Sequence, residues 1–242
     1  FRTIRTNLQY VDVDNPPRSV VVTSSLPGEG KSTTACNLAI ALAQAGAKVL
    51  LLEADLRRPK VAEYLGVDGS RGLTDVLIGK APLDSTIIHW NRGMMDFLAA
   101  GAIPPNPSEL LGSRHMADLL KYLRSRYNVV IIDAPPLLPV TDAAILATVV
   151  DGAILVAKYG STTSEQVADS ADALRQVNAR ILGTVLNFAP VRRRKKYGYG
   201  YEYGYGYGYE SDQPAQQVQA PQQQQGYTPP RPSPNGAQPA PG

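Results

Sequence analysis

The 242-residue chain has one cysteine, one tryptophan, two histidines and three phenylalanines. A lone cysteine, Cys36, excludes a disulfide framework and any cysteine-built metal centre within one chain, and it fits a reducing compartment. Its neighbours, Thr34-Ala35 and Asn37-Leu38-Ala39, follow a helical, largely apolar pattern, so Cys36 reads as a small core residue rather than a reactive thiol. His89 and His115 are isolated, with no metal-ligand spacing between them. Trp90, in a polar stretch, is expected to pack locally. No stretch approaches the roughly 18 consecutive apolar residues of a membrane span, and no signal-peptide pattern is visible. The chain starts at Phe1 rather than Met, which reads as a piece of a longer protein.

An excess of charge is also lacking where a fold is expected. The net charge of +3 arises entirely after Val191, where Arg192, Arg193, Arg194, Lys195, Lys196 and Arg231 face only Glu202, Glu210 and Asp212. The part before Val191 is neutral overall, so it shows no basic face for nucleic acid. Composition breaks at the same place. A basic run is followed by Tyr197, Tyr199, Tyr201, Tyr203, Tyr205, Tyr207 and Tyr209, alternating with glycine or glutamate, and then by a segment rich in Gln, Pro and Gly. Such a segment cannot bury enough apolar surface to offset its ordering entropy, so residues 191–242 are expected to be a disordered tail. Residues 1–190 are expected to form one domain.

What is present before the break alternates strand with helix. Apolar runs at Ser19–Thr23, Val49–Glu53, Val129–Asp133, Gly152–Ala157 and Ile181–Asn187, with a shorter one at Met95–Ala99, read as buried strands. Helical spacing covers Lys31–Ala45, Arg114–Tyr127, Thr141–Val149 and Ser164–Val177. The pattern predicts an α/β fold: a mainly parallel sheet with helices on both faces, with ligands bound beyond the carboxyl ends of the strands.

Three motifs fall at those strand ends. Ser24-Ser-Leu-Pro-Gly-Glu-Gly-Lys-Ser-Thr33 lies between a strand and a helix and carries the Gly-Lys-Ser half of a P-loop, though Ser25 stands where the pattern has its first glycine. Pro27, Gly28, Glu29 and Gly30 would wrap a phosphate with backbone N–H groups. Lys31 would reach the β- and γ-phosphates, and Ser32, with Thr33 beside it, would offer a hydroxyl to Mg²⁺. Glu53 and Asp55 end the second strand, where two acids could hold a metal and accept a proton; Arg57 and Arg58 could balance phosphate charge. Val129-Val-Ile-Ile-Asp133 is a Walker-B pattern, and Asp133 would hold Mg²⁺. ATP with Mg²⁺ is the expected ligand pair.

These motifs, the segment Gly101-Ala-Ile-Pro-Pro-Asn-Pro-Ser-Glu-Leu-Leu-Gly-Ser113 and the tyrosine-rich C-terminus together resemble the bacterial tyrosine kinase (BY-kinase) family of polysaccharide co-polymerases. The resemblance implies a P-loop NTPase fold and an autokinase that phosphorylates its own tyrosine cluster. It assigns Lys31 and Ser32 to Walker A, Asp55 to the second acid of Walker A′ and Asp133 to Walker B. Glu53 occupies the place of an aspartate held to activate the tyrosine hydroxyl. Arg2 and Arg5 match an N-terminal motif that supports ring-like self-association and transfer between protomers. Asn187 matches a strand end that faces adenine. The family implies a transmembrane chain-length determinant, a tyrosine phosphatase as partner and a place at the cytoplasmic face of the bacterial inner membrane, in capsule and exopolysaccharide synthesis and export.

Two other readings compete. A Min- or Par-like partition ATPase shares the loop lineage, but usually carries a lysine where this chain has Leu26. A non-catalytic assembly module would use the tail as an aromatic sticker. Incubation with Mg²⁺-ATP separates them: tail phosphotyrosine, free phosphate alone, or neither.

Overall fold

The computed structural model describes residues 1–190. The basic run, the tyrosine cluster and the Gln/Pro-rich segment lie outside the described residues. Seven strands form one sheet: β1 (Ser19–Ser24), β2 (Val49–Glu53), β3 (Ile88–Trp90), β4 (Met95–Leu98), β5 (Val129–Asp133), β6 (Gly152–Lys158) and β7 (Ile181–Asn187). Their order is β3-β4-β2-β5-β1-β6-β7. All pairings are parallel except β3 with β4. The helices are α1 (Arg2–Tyr10), α2 (Lys31–Ala43), α3 (Val61–Leu65), α4 (Leu73–Leu77), α5 (Leu83–Thr86), α6 (Pro107–Leu111), α7 (Arg114–Arg126), α8 (Asp142–Ala147) and α9 (Ser164–Gln176).

The central strands are apolar throughout because both sheet faces are covered. Side chains alternate between two cores. Val49, Leu51, Val129 and Ile131 pack with Leu8, Leu38 and Val61 from α1, α2 and α3. Leu50, Leu52, Val130 and Ile132 pack with residues of α4 and α6–α9, including Leu73, Met116, Leu123 and Leu174. Register matters for function: Glu53 lies beside Asp133, and Asp133 beside Val22, so the ends of β2, β5 and β1 form one ledge.

Helix starts follow local chemistry. Ser113 accepts a hydrogen bond from Met116 N at the start of α7, and Thr163 with Gln166 forms a capping box at α9. Pro107 occupies the first turn of α6. The start of α2 has no side-chain cap; its N-cap residue is Gly30 in the left-handed region. Its first N–H groups are therefore left to a ligand.

Several elements have no counterpart in the sequence reading. β3 is three residues long and follows α5 with one residue between. It turns into β4 through Asn91, Arg92 and Gly93, all at positive φ. The Trp90 indole N–H donates to Leu65 O at 3.0 Å, a partner 25 residues earlier in the chain rather than a local one. Helices α3–α6 have only four or five residues each, too few for a 3.6-residue period to register. Among the described residues, no helix is long and apolar enough to cross a membrane.

Candidate active site

A cavity of about 470 Å³ opens at the carboxyl ends of β1, β2 and β5, with Gly28, Lys31, Asp55, Arg57, Tyr64 and Pro136 among its lining residues. The volume falls within the range of small-molecule sites. Its floor is the loop between β1 and α2. Gly28 and Gly30 both have positive φ (81° and 88°). A Cβ on Gly30 would stand 2.1 Å from Asn187 Nδ2, so conformation and space both demand glycine there.

The loop is braced from beneath. The Glu29 carboxylate, 3% exposed, accepts from Leu26 N at 3.0 Å and from the Thr162 hydroxyl. Asn187 Nδ2 donates to Glu29 O at 3.2 Å, and Asn187 Oδ1 accepts from Phe188 N. The side chains of Glu29 and Asn187 therefore hold the loop's shape. Ser25, in place of the first glycine, is fully buried. Its hydroxyl donates to Gln166 O at 3.1 Å and accepts from Ser170 Oγ at 2.8 Å. It is not among the positive-φ positions, and α9 supplies its hydrogen-bond partners, so glycine is not required.

Lys31 bends across the ledge. Its ammonium donates to Asp55 Oδ2 at 2.7 Å and stands 3.6 Å from Asp133 Oδ1. Burial alone would lower the lysine pKa, but the charges of Asp133 and Asp55 outweigh it and raise it. Asp55 Oδ1 accepts from Arg57 N and Arg58 N at 3.3 and 3.0 Å, which fixes the carboxylate at the cavity wall. Asp133 is fully buried, and among the described residues neither of its carboxylate oxygens has a hydrogen-bond partner within bonding geometry. Burial pushes its carboxyl up to about 6, with the Lys31 charge and the neighbouring Ser32 hydroxyl opposing. Cys36, on α2 beneath the site, is pushed up to about 12 by burial, which keeps it a thiol.

Glu53 is placed differently from the expectation that it meets the acceptor. Its residue is 1% exposed, and its carboxylate accepts from Val61 N at 2.5 Å and Ala100 N at 3.2 Å. Val61 is the first residue of α3, so the Glu53 carboxylate sits at that helix start and ties it to β2 and the end of β4. Burial pushes this carboxyl up, and the backbone amides pull it back. The carboxylate is turned into the wall; the acid that borders the cavity is Asp55.

The Arg57 side chain is anchored by Asp142 at the start of α8 and by Ser108 in α6. The sequence reading missed both. The visible signal was an acid opening a helix directly after the turn that follows the Walker-B strand. Arg2 is exposed, whereas Arg5 is half-buried and donates from Nη1 to Ala41 O at 3.3 Å, binding α1 to α2.

These residues fit a magnesium nucleotide. Uncapped N–H groups of α2 and a lysine face the cavity, with a serine hydroxyl and an unpartnered buried carboxylate beside them. Among the described residues, no cluster of three or more His, Cys, Asp or Glu could hold a metal unaided. Mg²⁺ in nucleotide sites takes one or two carboxylates and fills the rest with phosphate and water, so it needs no such cluster.

Comparison with known proteins agrees with this geometry. A family profile described as ParA, NUBPL iron-transfer P-loop NTPase, matches residues 15–200. Tyrosine-protein kinase YwqD of Bacillus subtilis (strain 168) is 44% identical over 198 residues, covering 82% of this chain and 84% of that protein. Tyrosine-protein kinase etk of Escherichia coli (strain K12) is 37% identical over 77% of this chain, which spans 26% of that longer protein. The solved kinase domain of Escherichia coli tyrosine kinase ETK superposes with a TM-score of 0.76 at 36% identity, covering 83% of this chain and 78% of that one. With its P-loop, its paired strand-end acids and its Walker-B aspartate on one ledge, the chain belongs to the bacterial tyrosine kinases built on the ParA-type P-loop NTPase fold.

Proposed function

We propose that the domain transfers the γ-phosphoryl group of Mg²⁺-ATP to the tyrosines Tyr197–Tyr209 of its own tail, between copies of the chain. The observation that carries this reading is that Lys31 and Asp55 line one cavity, with the buried Asp133 carboxylate 3.6 Å behind the Lys31 ammonium, in a chain that also carries seven clustered tyrosines. Ser32 and Asp133 would hold Mg²⁺, whose charge offsets that of the phosphates. The loop amides of Gly28–Thr33 and the Lys31 ammonium would stabilise charge on the transferring group. Asp55 would orient the acceptor phenol, since Glu53 is occupied by backbone amides. Transfer through a loose transition state depends more on positioning than on full deprotonation of a phenol with a pKa near 10. Arg57 and Arg58 would face phosphate charge.

The setting follows the same reading. A transmembrane chain-length determinant, fused or separate, would hold the domain at the cytoplasmic face of the inner membrane, within capsule or exopolysaccharide export. A ring supported by α1 would present one copy's tail to the next, and a tyrosine phosphatase would reset it. Each phosphate adds roughly −1.5 to −2 charges, so modification of the cluster would reverse the sign of a tail that starts with Arg192–Lys196. The test is mass spectrometry of the tail after incubation with Mg²⁺-ATP. Wild-type protein should carry several phosphotyrosines and Lys31→Met protein none. Free phosphate without phosphotyrosine would favour a partition-type ATPase; neither product would favour an assembly module.

A further inference from the structure

Three strand ends meet at one buried carboxylate. Arg57 follows β2, Ser108 lies in α6 after β4, and Asp142 opens α8 after β5. Asp142 is fully buried. Its Oδ2 accepts from Arg57 Nε at 2.8 Å, and its Oδ1 accepts from Arg57 Nη2 at 3.0 Å. The Ser108 hydroxyl closes the triangle: it donates to Asp142 Oδ1 at 2.5 Å and accepts from Arg57 Nη2 at 3.0 Å.

A guanidinium has five N–H donors in a rigid plane. Asp142 takes Nε–H, and Asp142 Oδ1 and the Ser108 oxygen, 2.5 Å apart, share the Nη2 donor. The two hydrogens on Nη1 have no partner among the described residues, and Arg57 lines the nucleotide cavity. A freely rotating arginine would lose much rotamer entropy on meeting a phosphate; one held edge-on by a carboxylate has already lost it. The anchor is therefore of the kind that pre-organises a group for the transition state.

We propose that Asp142, helped by Ser108, is a positioning residue that presents Arg57 Nη1 to the transferring phosphoryl group. Asp142 touches no substrate and acts only through Arg57. The same triangle gives the segment Gly101–Ser113 a role: it delivers Ser108 to the anchor. The proposal rests on the kinase reading.

The test is a double-mutant cycle on tail phosphorylation by the full chain, using Arg57→Ala, Asp142→Asn and the double variant. Asparagine keeps the volume of Asp142 but offers one acceptor in place of two. Asp142→Asn should lower kcat by about tenfold or more with the KM for ATP changed less than about threefold, the signature of an interaction made in the transition state. In the Arg57→Ala background, Asp142→Asn should change kcat by less than about twofold, because coupled residues do not add. Ser108→Ala removes one hydroxyl and covers the case in which Asp142→Asn does not fold. It should lower kcat by roughly threefold in the wild-type background and leave Arg57→Ala unchanged. Effects that multiply in full, a change carried by KM, or wild-type activity in Asp142→Asn would each overturn the assignment. A wild-type chain that forms no phosphotyrosine would overturn the kinase reading instead.

Discussion

Among the described residues, Asp133 is a fully buried carboxylate without a hydrogen bond of good geometry, and Lys31, 3.6 Å away, is bonded to Asp55 instead. A group in this state costs stability and is kept for chemistry. The sign of the pH dependence follows. A carboxyl raised from 3.8 to about 6 in the fold imposes no cost at pH values below both figures. The cost grows as pH climbs between them and is complete above, on the order of 2–3 kcal/mol. Asp133→Asn, without nucleotide, should therefore melt roughly 5 °C above wild type at pH 7.5. The gap should narrow as pH falls below about 6, while transfer activity is lost at every pH. Thermal melts across pH check this; a variant less stable than wild type at pH 7.5 contradicts it. Lys31 loses the charge of Asp133 in this variant but keeps its hydrogen bond to Asp55 at 2.7 Å.

At the scale of elements, Glu53 separates what the sequence shows from what it hides. The bounds of β2 and β5 were legible to the residue, because buried parallel strands are unbroken apolar runs that end in a polar group. The motif Glu-x-Asp was legible as well. Its division of labour was not: Glu53 points to Val61 N and Ala100 N, and those amides belong to α3 and the end of β4, which only tertiary structure brings together. Asp142 and Ser108 were hidden for the same reason, being 34 residues apart in the chain. Glu53→Gln should set a donor amide against backbone donors at the start of α3. A loss of about 1–3 kcal/mol in stability is expected, with tail phosphorylation largely retained well below the melting temperature. Asp55→Asn should instead cut transfer by about a hundredfold or more. Kinetics and melts on the two variants decide between them; an inactive Glu53→Gln of wild-type stability would make Glu53 the group that meets the acceptor.

For the whole molecule, the fold class, the two covered faces and the ledge of motifs follow from strand–helix alternation and from where each motif falls. The edge hairpin of β3 with β4 escaped notice because a three-residue, half-exposed strand has too short a pattern to read. How copies of the chain meet belongs to this scale too. Arg5 is committed to Ala41 O within its own chain, while Arg2 is exposed. The proposed transfer between copies would draw on residues 191–242, a stretch of 52 residues that carries the tyrosine cluster. The most direct measurement mixes two full-length chains distinguishable by mass. One is catalytically intact with Tyr197–Tyr209 changed to phenylalanine; the other carries Lys31→Met with its tyrosines intact. After incubation with Mg²⁺-ATP, phosphotyrosine is expected in the tail of the Lys31→Met chain. An unmodified Lys31→Met tail, alongside unmixed wild-type protein that does modify its own, would contradict transfer between copies.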